Sequence, residues 1–196
     1  LLCGGLLFAC RKKAEVPEES IGNSSEKVVS SEDSKNEEDE VERLQKGYEL
    51  PVDDNEREEA EVDCKKIMED ISYIYINADK GDASNVVISD EIIHQMVEKV
   101  KKIGCPVTTT ETYFNMENYK EFDDFLKASI VGNSGSSVVY EIHSDGGFGR
   151  KKYIYDGTEM YVLSAKTLWT DDNKPMIAYI SYTRIKEWRY TDKGWF

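Results

Sequence analysis

Four cysteines, two histidines and a knot of acid and hydroxyl groups around residue 143 are the side chains of this 196-residue chain whose types and spacing invite chemistry. His143-Ser144-Asp145 holds the letters of a hydrolase triad. Such triads assemble through space, with the nucleophile on a strained turn, so three consecutive residues cannot share those roles. Gly146-Gly147-Phe148-Gly149 lacks the GxGxxG spacing, the lysine and the following helix of a phosphate loop, and reads as a hairpin turn. Asp171-Asp172-Asn173 offers oxygen ligands without a calcium loop around them. His94 falls on the polar side of a helix with Glu98 and Lys101, while His143 shares a strand face with Glu141; a surface histidine is the ordinary reading of each. The expectation is a protein with no catalytic residues, no metal site and no cofactor.

Cys10 offers a different chemistry. It ends an uncharged apolar run that begins at Leu1, follows Leu7-Phe8-Ala9, and precedes Arg11-Lys12-Lys13. A small residue before a cysteine at the end of such a run resembles the lipobox of a bacterial lipoprotein signal peptide. Cys10 is then expected to carry a diacylglycerol and to become the N-terminus on the extracytoplasmic face of a membrane, its acyl chains supplying the hold. The run is far short of the ~20 residues a membrane-spanning helix needs. It also lacks the charged n-region of a signal, so the chain is expected to begin inside one. A signal without lipid is the alternative, since Phe8 is bulky for a lipobox.

Residues 11–48 have the composition of a tether: Ser, Glu, Asp, Asn and Lys, an acidic run Glu37-Glu38-Asp39-Glu40, and almost no aromatics. Too little apolar surface is available there to offset chain entropy, so disorder is expected, with a reach of roughly 35 Å as a flexible coil. Residues 1–60 carry 8 Lys/Arg against 17 Asp/Glu, and residues 61–196 carry 17 against 22. The first set would be repelled by an anionic membrane, which holds the domain away from it. This balance also excludes nucleic acid as a partner, because phosphate binding needs a basic patch. Lys99, Lys101 and Lys102, and Arg150-Lys151-Lys152, read as solvated surface cations.

What would position any functional group is a domain over residues 49–196. Apolar residues at Ala60, Cys64, Ile67, Met68, Ile71, Ile74, Tyr75 and Ala78 make one stripe of a helix over 54–80, with acids crowding its start and Gly81 at its close. A second helix is expected after Ser89, with Ile92, Ile93, Met96, Val97, Val100 and Ile103 on its stripe and Gly104 and Pro106 as stops. A third, over 116–131, carries Tyr119, Phe122, Phe125, Leu126 and Ile130. After Gly135 the period changes to two. Turn signals at 145–149, Asp156-Gly157 and 171–175 divide four strands, the last over 176–190 and long enough to need a bend or bulge. Short turns make the strands an antiparallel meander.

The expected class is therefore α+β: three N-terminal amphipathic helices packed on a C-terminal curved sheet as two layers around one core. A nuclear-transport-factor-2-like cone and a lipoprotein-carrier-like half-barrel both have this plan. The first helix pair should be an antiparallel hairpin, which brings Cys64 and Cys105 to similar heights; a disulfide between them and a pair of free thiols both fit. Of the 21 aromatics, 12 lie in residues 137–196. Aromatics fit a pleated surface whatever their function. A ligand-binding face built from Tyr179, Tyr182, Arg184, Trp188 and Tyr190 is the functional alternative, suited to a glycan, an anionic group or an apolar ligand.

The strings Gly104-Cys105-Pro106-Val107-Thr108-Thr109, His143-Ser144-Asp145-Gly146-Gly147, Tyr155-Asp156-Gly157-Thr158-Glu159-Met160-Tyr161 and Tyr182-Thr183-Arg184-Ile185-Lys186-Glu187-Trp188, with Gly194-Trp195-Phe196, carry a resemblance that runs over nearly all of residues 48–196. They resemble a family, a domain of unknown function, of cell-surface lipoproteins from gut clostridia and related Firmicutes. Its members run longer at the C-terminus, which implies that the final strand is cut here. The resemblance implies a Gram-positive envelope and transfers no catalytic residue. The expected function is a membrane-anchored, non-catalytic binding or scaffolding module for a protein or glycan; the alternative is a carrier with an aromatic-lined pocket for a lipid or other apolar ligand.

Overall fold

The computed structural model describes residues 49–81, 86–110, 115–192, 194 and 196. The expectations for Cys10 and for the tether over 11–48 lie outside these residues. Helix α1, Asp54–Asn77, starts where the Asp53 carboxylate accepts hydrogen bonds from the backbone N–H groups of Asn55 at 2.9 Å and Glu56 at 3.4 Å. It ends before the glycine expected to close it: Ala78 is already extended, and Gly81 occupies a separate turn, donating its N–H to Asp79 Oδ1. Helix α2, Asp90–Val100, does begin after Ser89, and runs into a 3₁₀ turn, Lys101–Ile103, closed by Gly104 at φ +98°. Helix α3, Lys120–Ile130, is shorter than the pattern implied. The Asn118 amide donates to the carbonyls of Lys101 and Cys105, which ties the approach to α3 back to the end of the preceding turn.

Strands β1 (Glu49–Leu50), β2 (Val107–Thr109), β3 (Gly135–Ile142), β4 (Phe148–Tyr155), β5 (Met160–Trp169) and β6 (Pro175–Ile185) form one open sheet in the order β1-β6-β5-β4-β3-β2. The fold class is α+β. The expected antiparallel meander is β3 to β6. Two short edge strands were not expected: β1 lies antiparallel on β6, and β2 lies parallel on β3. Both are too short for alternation to show in sequence. Lys166 opposes Tyr179 and Thr167 opposes Ile177, so Ala178 is an additional residue and a bulge falls in β6. The strand stops at Ile185, and residues 186–190 leave the sheet.

Strand alternation sends two sets of side chains to opposite faces, and helices cover both. On one face α1 and α2 pack Ile67, Met68, Ile71, Ile93, Met96 and Val97 against Tyr140, Ile142, Phe148, Leu163 and Ala165. On the other, α3 packs Phe122, Phe125 and Leu126 against Val139, Tyr155 and Met160. The two-layer, one-core expectation is thus corrected to three layers with two cores. The reason lies in β3, where Val139 and Tyr140 are both buried, so neither face can be left entirely to water. Each buried aliphatic or aromatic side chain contributes about 1.5–3 kcal/mol.

The first core contains a charge. Arg150 has no exposed surface; its Nη2 reaches Glu59 Oε1 at 2.6 Å and its Nε reaches Asp63 Oδ2 at 2.9 Å. Lys152 Nζ meets Glu56 at 2.8 Å and Glu59 at 3.3 Å. Arg150 and Lys152 are therefore not the solvated cations that composition suggested. They bind β4 to one stripe of α1, whose Glu56, Glu59 and Asp63 recur at helical spacing. Among the described residues, no helix is long and apolar enough to cross a membrane.

Candidate functional site

Helix α3 covers only part of its face of the sheet. Beside it lies an open groove of about 480 Å³ lined by Lys151, Tyr153, Val162, Ser164, Ile185, Glu187, Trp188, Arg189 and Phe196. Alternation explains the floor: Lys151 pairs with Ser164 and Tyr153 with Val162, so these four point the same way from β4 and β5. The wall is the segment after β6. Trp188 sets its ring edge-on to Tyr155 at 5.8 Å and tilted toward Phe196 at 6.3 Å, and Phe196 meets Tyr153 edge-on at 5.5 Å. Tyr190 pins this wall to α3 by donating its hydroxyl to Asp123 Oδ1. That bond raises the Tyr190 phenol to about 12, while Lys127 and then Tyr190 hold the Asp123 carboxyl below its usual range.

At the lysine end of the groove sits a charged cluster. Glu141 Oε2 lies 2.9 Å from Lys151 Nζ and 3.5 Å from His143 Nε2. Glu141 and His143 share a face because they are two residues apart in the same run, and Gly149 opposite leaves the room they occupy. A Cβ on Gly149 would lie 3.0 Å from His143 Nε2 and 3.5 Å from Glu141 Oε2. The His143 imidazole, together with Lys151 and against the effect of burial, holds the Glu141 carboxyl down at about 2. Burial disfavours the Lys151 ammonium, yet its hydrogen bond to Glu141 and the charges of Glu141, Tyr153 and Tyr179 together outweigh this and raise its pKa. His143 Nε2 is buried, and its contact with Glu141 at 3.5 Å stands at the limit of hydrogen-bond length.

The sequence candidates are redistributed by this geometry. His143, Ser144 and Asp145 diverge: the Ser144 backbone N–H donates to Thr110 Oγ1, and Asp145 accepts from the Gly147 N–H to shape the hairpin turn. The face expected from Tyr179, Tyr182, Arg184, Trp188 and Tyr190 is not continuous. Tyr179 is on the open side, 52% exposed, whereas Tyr182 and Arg184 project to the side of α1. There Tyr182 packs against Tyr161, and Arg184 Nη1 reaches Glu159 at 2.6 Å. Tyr179 and Tyr182 meet only around the sheet edge, where a second groove also takes in Leu50, Val52 and Arg57. Trp188 lines the groove beside α3, and Tyr190 buttresses it from behind.

Cys64 and Cys105 are both free, the first buried and the second partly exposed. Burial pushes both thiols up, and the same Asp63 and Arg150 charges act on each. Among the described residues no group of three or more His, Cys, Asp or Glu is placed to hold a metal ion. Lys151, Tyr153, Val162 and Ser164 were not anticipated as site residues. Their signal was the period-two alternation itself, which places them on one face once the strand register is known.

Residues 57–196 match the model of a family of unknown function, DUF6070. No curated protein and no solved structure matches the chain.

Proposed function

We propose that this chain, which belongs to the DUF6070 family of unknown function, is a non-catalytic binding module that takes a saccharide in the groove beside Trp188. The observation that carries the reading is the lining itself: an aromatic wall and floor for the apolar face of a sugar ring, with Lys151, Ser164, Glu187 and Arg189 positioned around it for hydroxyl groups. The groove opens to solvent, as a polymeric ligand requires, whereas a carrier for an apolar ligand needs an enclosed cavity. The lipobox at Cys10, the acidic stretch after it and the likeness to clostridial lipoproteins support a place on the outer face of a Gram-positive membrane.

Two measurements test this. Titration of the full chain with soluble dextran, mannan and cell-wall muropeptides should show saturable binding that Trp188→Ala weakens about tenfold or more; equal binding by the variant sinks the saccharide reading. Mass spectrometry of the native N-terminus should find a diacylglycerol adduct on Cys10, and an unmodified Cys10 removes the anchor.

A further inference from the structure

The Glu141–His143–Lys151 cluster gives the groove a charge that depends on one imidazole. With His143 neutral, the Glu141 carboxylate and the Lys151 ammonium, 2.9 Å apart, cancel each other at the groove's end. The same carboxylate oxygen also faces His143 Nε2, a buried nitrogen, at 3.5 Å. That separation is at the limit of hydrogen-bond length. Protonation to the imidazolium, in which both ring nitrogens carry hydrogen, makes this contact a charge-assisted one, draws Glu141 toward the ring, and leaves a net positive charge with Lys151 nearest the groove. The groups that bear on this proton are few. Glu141 comes from its own strand, Lys151 and Tyr153 from β4, Lys166 from β5 and Tyr179 from β6; Glu141 and Lys166 lie in one cross-strand row with Tyr179. Helix α3 contributes no charge that any described ion pair brings to the cluster; its Lys120 and Lys127 pair with its own Asp124 and Asp123.

We infer that the saccharide taken by this groove carries an anionic group, carboxylate or phosphate, that meets Lys151, and that protonation of His143 strengthens its binding. This rests on the saccharide reading and specifies the ligand's charge and the site's regulation. A neutral sugar gains nothing from the extra charge. An anionic one gains a Coulombic attraction at short range in a partly buried setting, where salt screens it less than at an exposed surface.

The experiment compares dextran with carboxymethyl-dextran, which share a backbone and differ in charge. Each is titrated into the full chain at pH 8 and pH 5.5, where the added carboxylates stay ionised. For the native chain, carboxymethyl-dextran should bind about three- to tenfold more tightly at pH 5.5 than at pH 8, with dextran indifferent to pH. His143→Gln should abolish that pH response while keeping Trp188-dependent binding, Lys151→Met should abolish it too, and His94→Gln, remote in the groove between α1 and α2, should retain it. A pH response that survives His143→Gln overturns the inference. So does Trp188-dependent binding of both polymers with equal affinity at both pH values, which leaves the saccharide reading standing. Binding of neither polymer at either pH overturns the inference, and the saccharide reading falls with it when mannan and muropeptides also fail to bind.

Discussion

On the face covered by α1 and α2, the strand positions carrying Tyr140, Phe148, Arg150, Leu163, Ala165 and Thr167 are all buried. On the opposite face, α3 buries Val139, Tyr155 and Met160, touches Tyr153 through Phe122 at 5.0 Å, and leaves Lys151, Val162 and Ser164 lining the groove beside it. The covering helices explain the contrast. α1 runs 24 residues and contacts β4, β5 and β6, while α3 runs 11 and packs chiefly on β3. At 1.5 Å per residue, a helix as short as α3 cannot roof a sheet of this width. One face is therefore filled, and the other keeps part of its surface open to solvent.

Substitutions on the two faces should differ accordingly. The largest effect is expected at Arg150. Arg150→Ala opens a cavity in the first core, strips Asp63 of its partner and leaves Glu59 with Lys152 alone, which should lower unfolding free energy by about 3–5 kcal/mol in urea titration. Arg150→Met, which refills the space, should recover much of that loss, because both acids are partly exposed and can turn to water. A similar cost for both variants would mean that the ion pairs themselves, not the filled volume, hold this face.

Next comes the turn that closes the first core. Gly146 has φ +77°, and a Cβ there would sit 2.7 Å from both Ile88 Cδ1 and Tyr75 Cδ2. Its carbonyl accepts from Trp169 Nε1 at 2.8 Å, and Trp169 stacks on Tyr75 at 4.4 Å. Gly146→Ala should cost roughly 2–3 kcal/mol, read from the thermal midpoint. A shift of less than a degree would show that this turn moves freely against α1.

The third prediction concerns the open face and its acid. Glu141 titrates at about 2 in the folded chain, below the ordinary value of 4.5. A carboxylate lowered in this way stabilises the fold above pH 4.5, and that contribution disappears as pH falls toward 2. Stability measured from pH 7 to pH 2 should thus fall less steeply below pH 4.5 for Glu141→Gln than for the native chain, with a difference of roughly 1–3 kcal/mol at neutral pH. Parallel profiles would place the charge balance of this face elsewhere. The smallest effect is expected at exposed Tyr179, where Tyr179→Ala should change stability by less than about 0.5 kcal/mol, a sharp contrast with Arg150 on the filled face.

Much of the frame was legible in the residues. The stripe from Ala60 to Tyr75, Ser89 ahead of the second helix and the turns at 145–149 and Asp156-Gly157 are local patterns, and the structure follows them. The bulge in the last strand was legible as excess length. The site was less so. Sequence proximity groups Tyr182 and Arg184 with Trp188, yet they project to the other face, because residues close in sequence separate once a strand's two sides are assigned. Arg150 and Lys152 looked like surface charges because their partners Glu56, Glu59 and Asp63 lie roughly ninety residues away.

By itself the sequence determined the periods of burial, the order of three helices before a meander, and the acidic stretch ahead of the domain, since each of these depends on neighbours within a few residues. Tertiary structure alone decided that the sheet has two cores, that β2 joins it in parallel, that Arg150 is buried, and that a lysine, a glutamate and a histidine meet at the end of an aromatic groove. Those outcomes depend on which strand lies beside which and on how far a short helix reaches across a sheet, and neither quantity is written in any single stretch of the chain.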